Sequence, residues 1–205
     1  MRMRQLNRLP KCRYFVPAKY IESVSKICKE FGEMHQHGCE DLLSPNIVPV
    51  LPGESYEINR KWRVEVFKTD HVVDSVGYVL YYSNASVANV PSIAYTGDTR
   101  FSIFATPAHP DLLRVQLLIT EATYLDKRES NYERCDMYGH IHITDIFQNA
   151  HLFQNILYLH LIHFSDRYSV DEIEMFCKQR APPQLKHKIY PSYMLKLTNS
   201  YLRDY

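Results

Sequence analysis

Long apolar runs are missing from this 205-residue sequence, and none approaches the roughly 18 residues needed to cross a bilayer. The N-terminus offers no apolar h-region of a secretory signal. Cysteine is sparse: Cys12, Cys28, Cys39, Cys135 and Cys177 are scattered and never form a C-x-x-C pair. That spacing argues against a disulfide framework and a structural zinc knuckle, and points to a reducing compartment, cytosol or nucleus. An excess of either charge is missing too. The 24 Lys+Arg against 23 Asp+Glu leave a net charge of +1, so no global basic field signals a nucleic-acid partner. The densest basic stretch, Arg2, Arg4, Arg8, Lys11 and Arg13, reads as a solvated terminus. No internal repeat or low-complexity tract interrupts the chain. What remains is an ordinary globular composition, 45% hydrophobic and 23% charged, long enough for one sizeable domain over residues 1–190 with a tail over 191–205.

Residues 14–17 predict a short strand closed by Pro17. From Tyr20 to Met34, Ile21, Val24, Ile27, Phe31 and Met34 recur at helical spacing and predict a helix with one buried stripe. Gly32, Gly38, Pro45, Pro49 and Pro52 mark the loops that follow. Strand-like runs come next at 61–67, 76–82, 92–96 and 114–120. A second amphipathic helix is expected over 143–153, capped by Thr144, and a buried strand over 156–164. Ser169 with Glu172 forms a capping box that opens a helix through about Gln179, ended by Pro182 and Pro183. Strands with interspersed helices, lacking a regular βαβ alternation, favour a layered α/β sandwich over a doubly wound sheet.

Several polar residues fall at the ends of the apolar strands, where a scaffold can hold them rigidly. Asp98 follows the run ending at Tyr95, Glu121 ends Leu117-Leu118-Ile119-Thr120, and His163 ends Leu159-His160-Leu161-Ile162. His71 follows the strand closing at Phe67. Imidazoles and a carboxylate at one sheet edge suit a zinc-type ion. Singly, each is as well explained as a turn residue or a satisfied histidine.

Five segments taken in order are more specific: FKTDHVVDSVGYV (67–79), AYTGDT (94–99), LLITEATYLD (117–126), YGHIHITDI (138–146) and LIHFSDRYSVDEIE (161–174). Each resembles the corresponding block of tRNase Z, most closely the short form, and the resemblance spans roughly residues 10–190. It implies an α/β fold, part of the metallo-β-lactamase αββα sandwich lacking its first strands. It also implies a zinc-dependent endoribonuclease that removes 3′ trailers from precursor tRNA. By this resemblance His71, Asp98 and His163 are metal ligands, Asp98 bridging two ions. Glu121 and His140 are the pair that handles protons, the carboxylate orienting the imidazole. Ser165, Arg167 and Tyr168 line the site, the first two beside substrate phosphate. Two metals can lower the pKa of a bridging water to about neutrality and brace both oxygens of an in-line phosphoryl displacement.

The sequence departs from the family in two places. The family signature H-x-H-x-D-H is absent from these residues, and the chain is expected to begin just after it. The nearest imitation, His35-Gln36-His37-Gly38-Cys39-Glu40, reads as a polar helix terminus. With three of the usual metal ligands, weak single-ion zinc binding is expected in place of the family's two ions. Between Tyr82 and Ser92 only nine residues stand where many family members carry a long insertion. An uncovered sheet would call for a homodimer or a covering partner. The alternatives are a non-catalytic truncated relative acting as an interaction module, or a hydrolase of another phosphoester on the same fold.

Overall fold

The computed structural model describes residues 12–34, 46–105, 109–125 and 129–192. The basic positions before Arg13, the His35–Glu40 segment and the tail beyond residue 192 lie outside them. The chain divides into two compact units, residues 1–54 and 55–205.

In the first unit, β1 (Arg13–Pro17) pairs in parallel with β2 (Asn46–Val50), and α1 (Ile21–Met34) lies between them in sequence. The helical spacing is confirmed, but the buried stripe is not. Ile27 and Phe31 are 52% and 55% exposed. The physical reason is that a two-stranded ribbon offers too little apolar area to cover a fourteen-residue helix.

The second unit is built on a seven-stranded mixed sheet in the order β3-β4-β5-β6-β7-β8-β9. Its strands are β3 (Ser55–Asn59), β4 (Trp62–Lys68), β5 (Val76–Tyr82), β6 (Val90–Tyr95), β7 (Leu117–Glu121), β8 (Tyr158–Ile162) and β9 (Ile189–Pro191). Pairs from β3 to β6 are antiparallel and pairs from β6 to β9 are parallel. The helices are α2 (Ser102–Ala105), α3 (Glu129–Tyr138), α4 (Ile143–Gln148) and α5 (Val170–Arg180). None of the described helices is long and apolar enough to cross a membrane. Strand alternation explains the core: Val79, Tyr81, Ala94, Leu118, Leu159 and Leu161 are buried and pack with Ile141, Ile143, Ile146, Phe153 and Ile156. Cys135 and Cys177 belong to the buried set, where burial pushes both thiols up to about 12. Cys12, Cys28, Cys135 and Cys177 are all free, so no described cysteine pairs with another.

Several boundaries differ from those expected. The helix expected over 143–153 ends at Gln148 and gives way to a 3-10 turn over Ala150–Phe153. Its cap is His142, not Thr144: the His142 side chain accepts from the Thr144 N–H. The strand expected over 156–164 is shorter and buries one face only, because His163 takes a positive φ of 60° and turns the chain out of the ladder. The capping box at Ser169 and Glu172 forms with both of its hydrogen bonds. β9 falls where a tail was expected to start, since Leu159 and Leu161 of β8 find partners in Ile189 and Pro191.

Gly77 faces Phe67 across β4 and β5, and a Cβ at Gly77 would run into the Phe67 ring. Gly77→Ala is therefore expected to cost about 1–3 kcal/mol by overpacking. A thermal melt unchanged from the parent would refute that close approach.

Candidate metal centre

β4 is antiparallel to β5, and β5 to β6, so β4, β6, β7 and β8 all run in one direction. Their C-terminal ends share one edge of the sheet, the side on which parallel strands present ligand sites. His71 follows β4, Asp98 follows β6, Glu121 ends β7, and His163 follows β8. His140 arrives by another route. Gly139, at φ 74°, turns the chain out of α3, and residues 141–143 then pair with Tyr124 beyond β7.

Glu121 is the centre of this edge and is 0% exposed. Its Oε1 accepts from the Thr99 N–H at 2.6 Å and from His140 Nδ1 at 2.9 Å. Its Oε2 accepts from the Thr123 hydroxyl at 2.6 Å and the Ile141 N–H at 3.1 Å. Such saturation is what a buried carboxylate requires. Holding a proton at Nδ1 directs the His140 Nε2 away from Glu121. Burial on its own lowers the His140 pKa, but the hydrogen bond His140 donates to Glu121 and the charges of Glu121 and Asp98 outweigh it and leave the ring above its ordinary value.

Asp98, His140 and His163 each offer a donor atom within 4.8 Å of the others, the one such group among the described residues. Asp98 Oδ2 stands 3.5 Å from His163 Nε2, and the His140 and His163 rings stack at 5.2 Å between centroids. Donors on one zinc-type ion lie at about 2.0–2.2 Å from it, hence no more than roughly 4.3 Å apart. Asp98 and His163 at this spacing fit such an ion after a small inward shift, and His140 beside them offers a further imidazole nitrogen, as a ligand or as a proton donor.

His71 stands one ring further out. It meets the His140 ring at 5.2 Å but is not in the three-donor group. Its Nδ1–H donates to the Gly139 carbonyl at 2.8 Å, so that Nε2 is the ring nitrogen outside this bond. The loop carrying it is tied down by the Thr69–Ser75 hydroxyl pair and by Asp70, which meets Arg100 at 2.9 Å and the Ser102 hydroxyl. Arg100 also donates to the Asp136 carbonyl of α3 at 2.6 Å, joining the His71 loop to the helix that ends just before Gly139.

Ser165 and Arg167 lie past the end of β8. The Ser165 N–H donates to the Thr123 carbonyl, and Ser165 Oγ accepts from Arg167 Nε at 3.1 Å. The Arg167 guanidinium sits 5.2 Å from the centre of the Tyr124 ring. Tyr168 is buried, and its hydroxyl accepts from the Leu125 N–H. Sequence reasoning passed over Thr99, Arg100, Thr123 and Gly139, although all but Arg100 stand inside the quoted motifs. The available signal was proximity: Thr99 is one residue from Asp98, Thr123 two from Glu121 and Gly139 one from His140.

No family model matches the chain. Over 200 residues it is 34% identical to tRNase Z TRZ1 of Arabidopsis thaliana, covering 85% of this chain and 69% of that protein. The chain belongs to the tRNase Z family. It is also 34% identical over 195 residues to tRNase Z TRZ2, chloroplastic, of the same plant, where it spans 53% of that protein. Among solved structures, human tRNase Z, short form, superposes with a TM-score of 0.53 at 17% identity, covering 77% of this chain and 61% of that one. The metallo-beta-lactamase fold protein YhfI of Bacillus subtilis gives a TM-score of 0.57 at 13% identity, covering 92% of this chain and 65% of that one. This tRNase Z relative thus has an α/β architecture that corresponds to part of the metallo-β-lactamase fold.

Proposed function

We propose that this chain carries the ion-holding and proton-handling side of an endoribonuclease site that removes 3′ trailers from precursor tRNA. The observation behind this reading is the meeting of Asp98, His140 and His163 over the buried Glu121, in a chain of the tRNase Z family. Bound there, a zinc-type ion would activate water and brace phosphate oxygens. Asp98 and His163 would hold it, and His71 would offer its Nε2 to a second. His140, pinned at Nδ1 by Glu121, would deliver a proton from Nε2 to the leaving oxygen. Arg167 and Ser165 would engage the substrate phosphate. Work on precursor tRNA, by this reading, takes place in the cytoplasm or nucleus.

The experiment is cleavage of a 3′-extended precursor tRNA by the zinc-loaded chain. Cutting at the trailer junction is expected, with Asp98→Ala and His163→Ala inactive and His140→Ala slower by about 100-fold or more. A second reading, a metal-poor relative serving as an interaction module, rests on the donor count. The 205 residues contain no H-x-H-x-D-H, and the described residues group three donors where closed zinc sites use four. Folded protein that leaves the substrate intact and carries well under one zinc per chain would establish the second reading over the first.

A further inference from the structure

We propose that Thr123 is a positioning residue: its hydroxyl passes the orienting effect of Glu121 on to His163, so that one buried carboxylate sets the ring tautomer of both histidines in the cluster. Thr123 is 6% exposed, and its Oγ1 stands 2.6 Å from Glu121 Oε2 and 2.9 Å from His163 Nδ1. A hydroxyl has a single proton to donate. Glu121 Oε2 also receives the Ile141 N–H at 3.1 Å, and Oε1 receives the Thr99 N–H at 2.6 Å, so the carboxylate is surrounded by donors. The Thr123 proton therefore goes to Glu121. What Thr123 presents to His163 is a lone pair, and only a proton on Nδ1 can use it.

The consequence falls on the other side of the ring. With Nδ1 protonated, neutral His163 keeps its Nε2 lone pair, and Nε2 is the atom that faces Asp98 Oδ2 at 3.5 Å. Without the hydroxyl, the proton can move to Nε2 and donate to Asp98, which blocks the nitrogen from a cation. The backbone holds the two residues together. Ala122 N–H donates to the Ile162 carbonyl and Ser165 N–H to the Thr123 carbonyl, one on either side of His163. The positive φ of His163 occurs within this clamp, as left-handed backbone at sites often does. His140 is oriented by Glu121 directly and His163 through one hydroxyl, the kind of outer support that orients metal-ligating imidazoles.

The zinc-affinity part of this inference rests on the cluster's being a cation site, the tautomer part does not, and neither rests on its cutting RNA. Two readouts separate these. In metal-free protein in alkaline buffer, proton–nitrogen correlation spectra of the imidazoles are expected to show His163 protonated at Nδ1. Thr123→Val, close in shape but without the hydroxyl, is expected to move the proton toward Nε2, and Thr123→Ser to restore Nδ1. Calorimetric titration with zinc alone is expected to show about 10- to 100-fold weaker binding for Thr123→Val and near-parental binding for Thr123→Ser. An Nε2 proton on His163 in the parent chain overturns the relay, as does a folded Thr123→Val that keeps the parental tautomer and zinc affinity. Should Thr123→Val not fold, the parent tautomer and the Thr123→Ser titration decide. A parent that shows the Nδ1 proton yet binds no zinc upholds the relay and overturns the cation reading alone.

Discussion

Glu121→Gln is expected to melt several degrees below the parent and to loosen the candidate ion site at the same time. The carboxylate accepts on both oxygens, from Thr99 N–H and His140 Nδ1 on one and from Thr123 Oγ1 and Ile141 N–H on the other. An amide must place its NH2 on one side or the other. Either orientation sets it against a backbone N–H that can only donate, inside a site where Glu121 is 0% exposed. Each buried donor left without an acceptor costs about 1–3 kcal/mol, and 1 kcal/mol moves Tm by about 2–4 °C in a chain of this size. With the NH2 on the Oε2 side the exchange also takes from Thr123 the acceptor that lets it align His163, so zinc affinity is expected to fall alongside stability. A glutamine variant with the parental Tm would show that these four donors do not converge on one carboxylate.

Gly139→Ala is expected to be the most damaging of the glycine substitutions at this edge. Gly139 has φ 74°, and a Cβ there would stand 2.7 Å from His71 Nδ1 and 2.9 Å from the Val72 backbone nitrogen. The left-handed backbone alone costs an alanine about 1–2 kcal/mol, and overpacking adds about 1–3 kcal/mol. Because Val72 N is backbone, no rotamer change relieves the overlap. His71 must leave the Gly139 carbonyl to which it donates at 2.8 Å. Gly53 is the control: φ is 90°, but a Cβ there meets nothing within 4 Å, so Gly53→Ala bears only the conformational cost. Melting curves for the two variants, with the His71 ring resonances, separate the contributions. Equal losses for both would refute the close approach of His71.

Much of the local structure was legible in the chain. The apolar run from Val76 to Tyr82 marked a strand, and Ser169 with Glu172 marked the start of α5 to the residue. Where local signals failed, the causes differ. The periodic stripe on α1 shows amphipathicity, but periodicity does not create a surface to bury Ile27 and Phe31. α3 has no clear apolar face in its sequence ESNYERCDMY, and β9 is three residues long, so neither leaves a periodic trace. At α4 the choice between His142 and Thr144 as cap depended on where the chain leaves its bridge with Tyr124, which is a long-range constraint.

By itself the sequence determined β1 and β4 to β8, though not β2, β3 or β9, and which polar residues stand at the ends of those strands, because apolar runs and strand termination are local properties of the chain. It also carried the ordered motifs that mark the tRNase Z family. Only the tertiary structure decided which of those residues meet. Asp98 and His163 are 65 positions apart and come together because β6, β7 and β8 run in the same direction. His140 stands with them in place of His71 because the Glu121 carboxylate holds its ring, while His71, three residues beyond the end of β4, is held back by the Gly139 carbonyl.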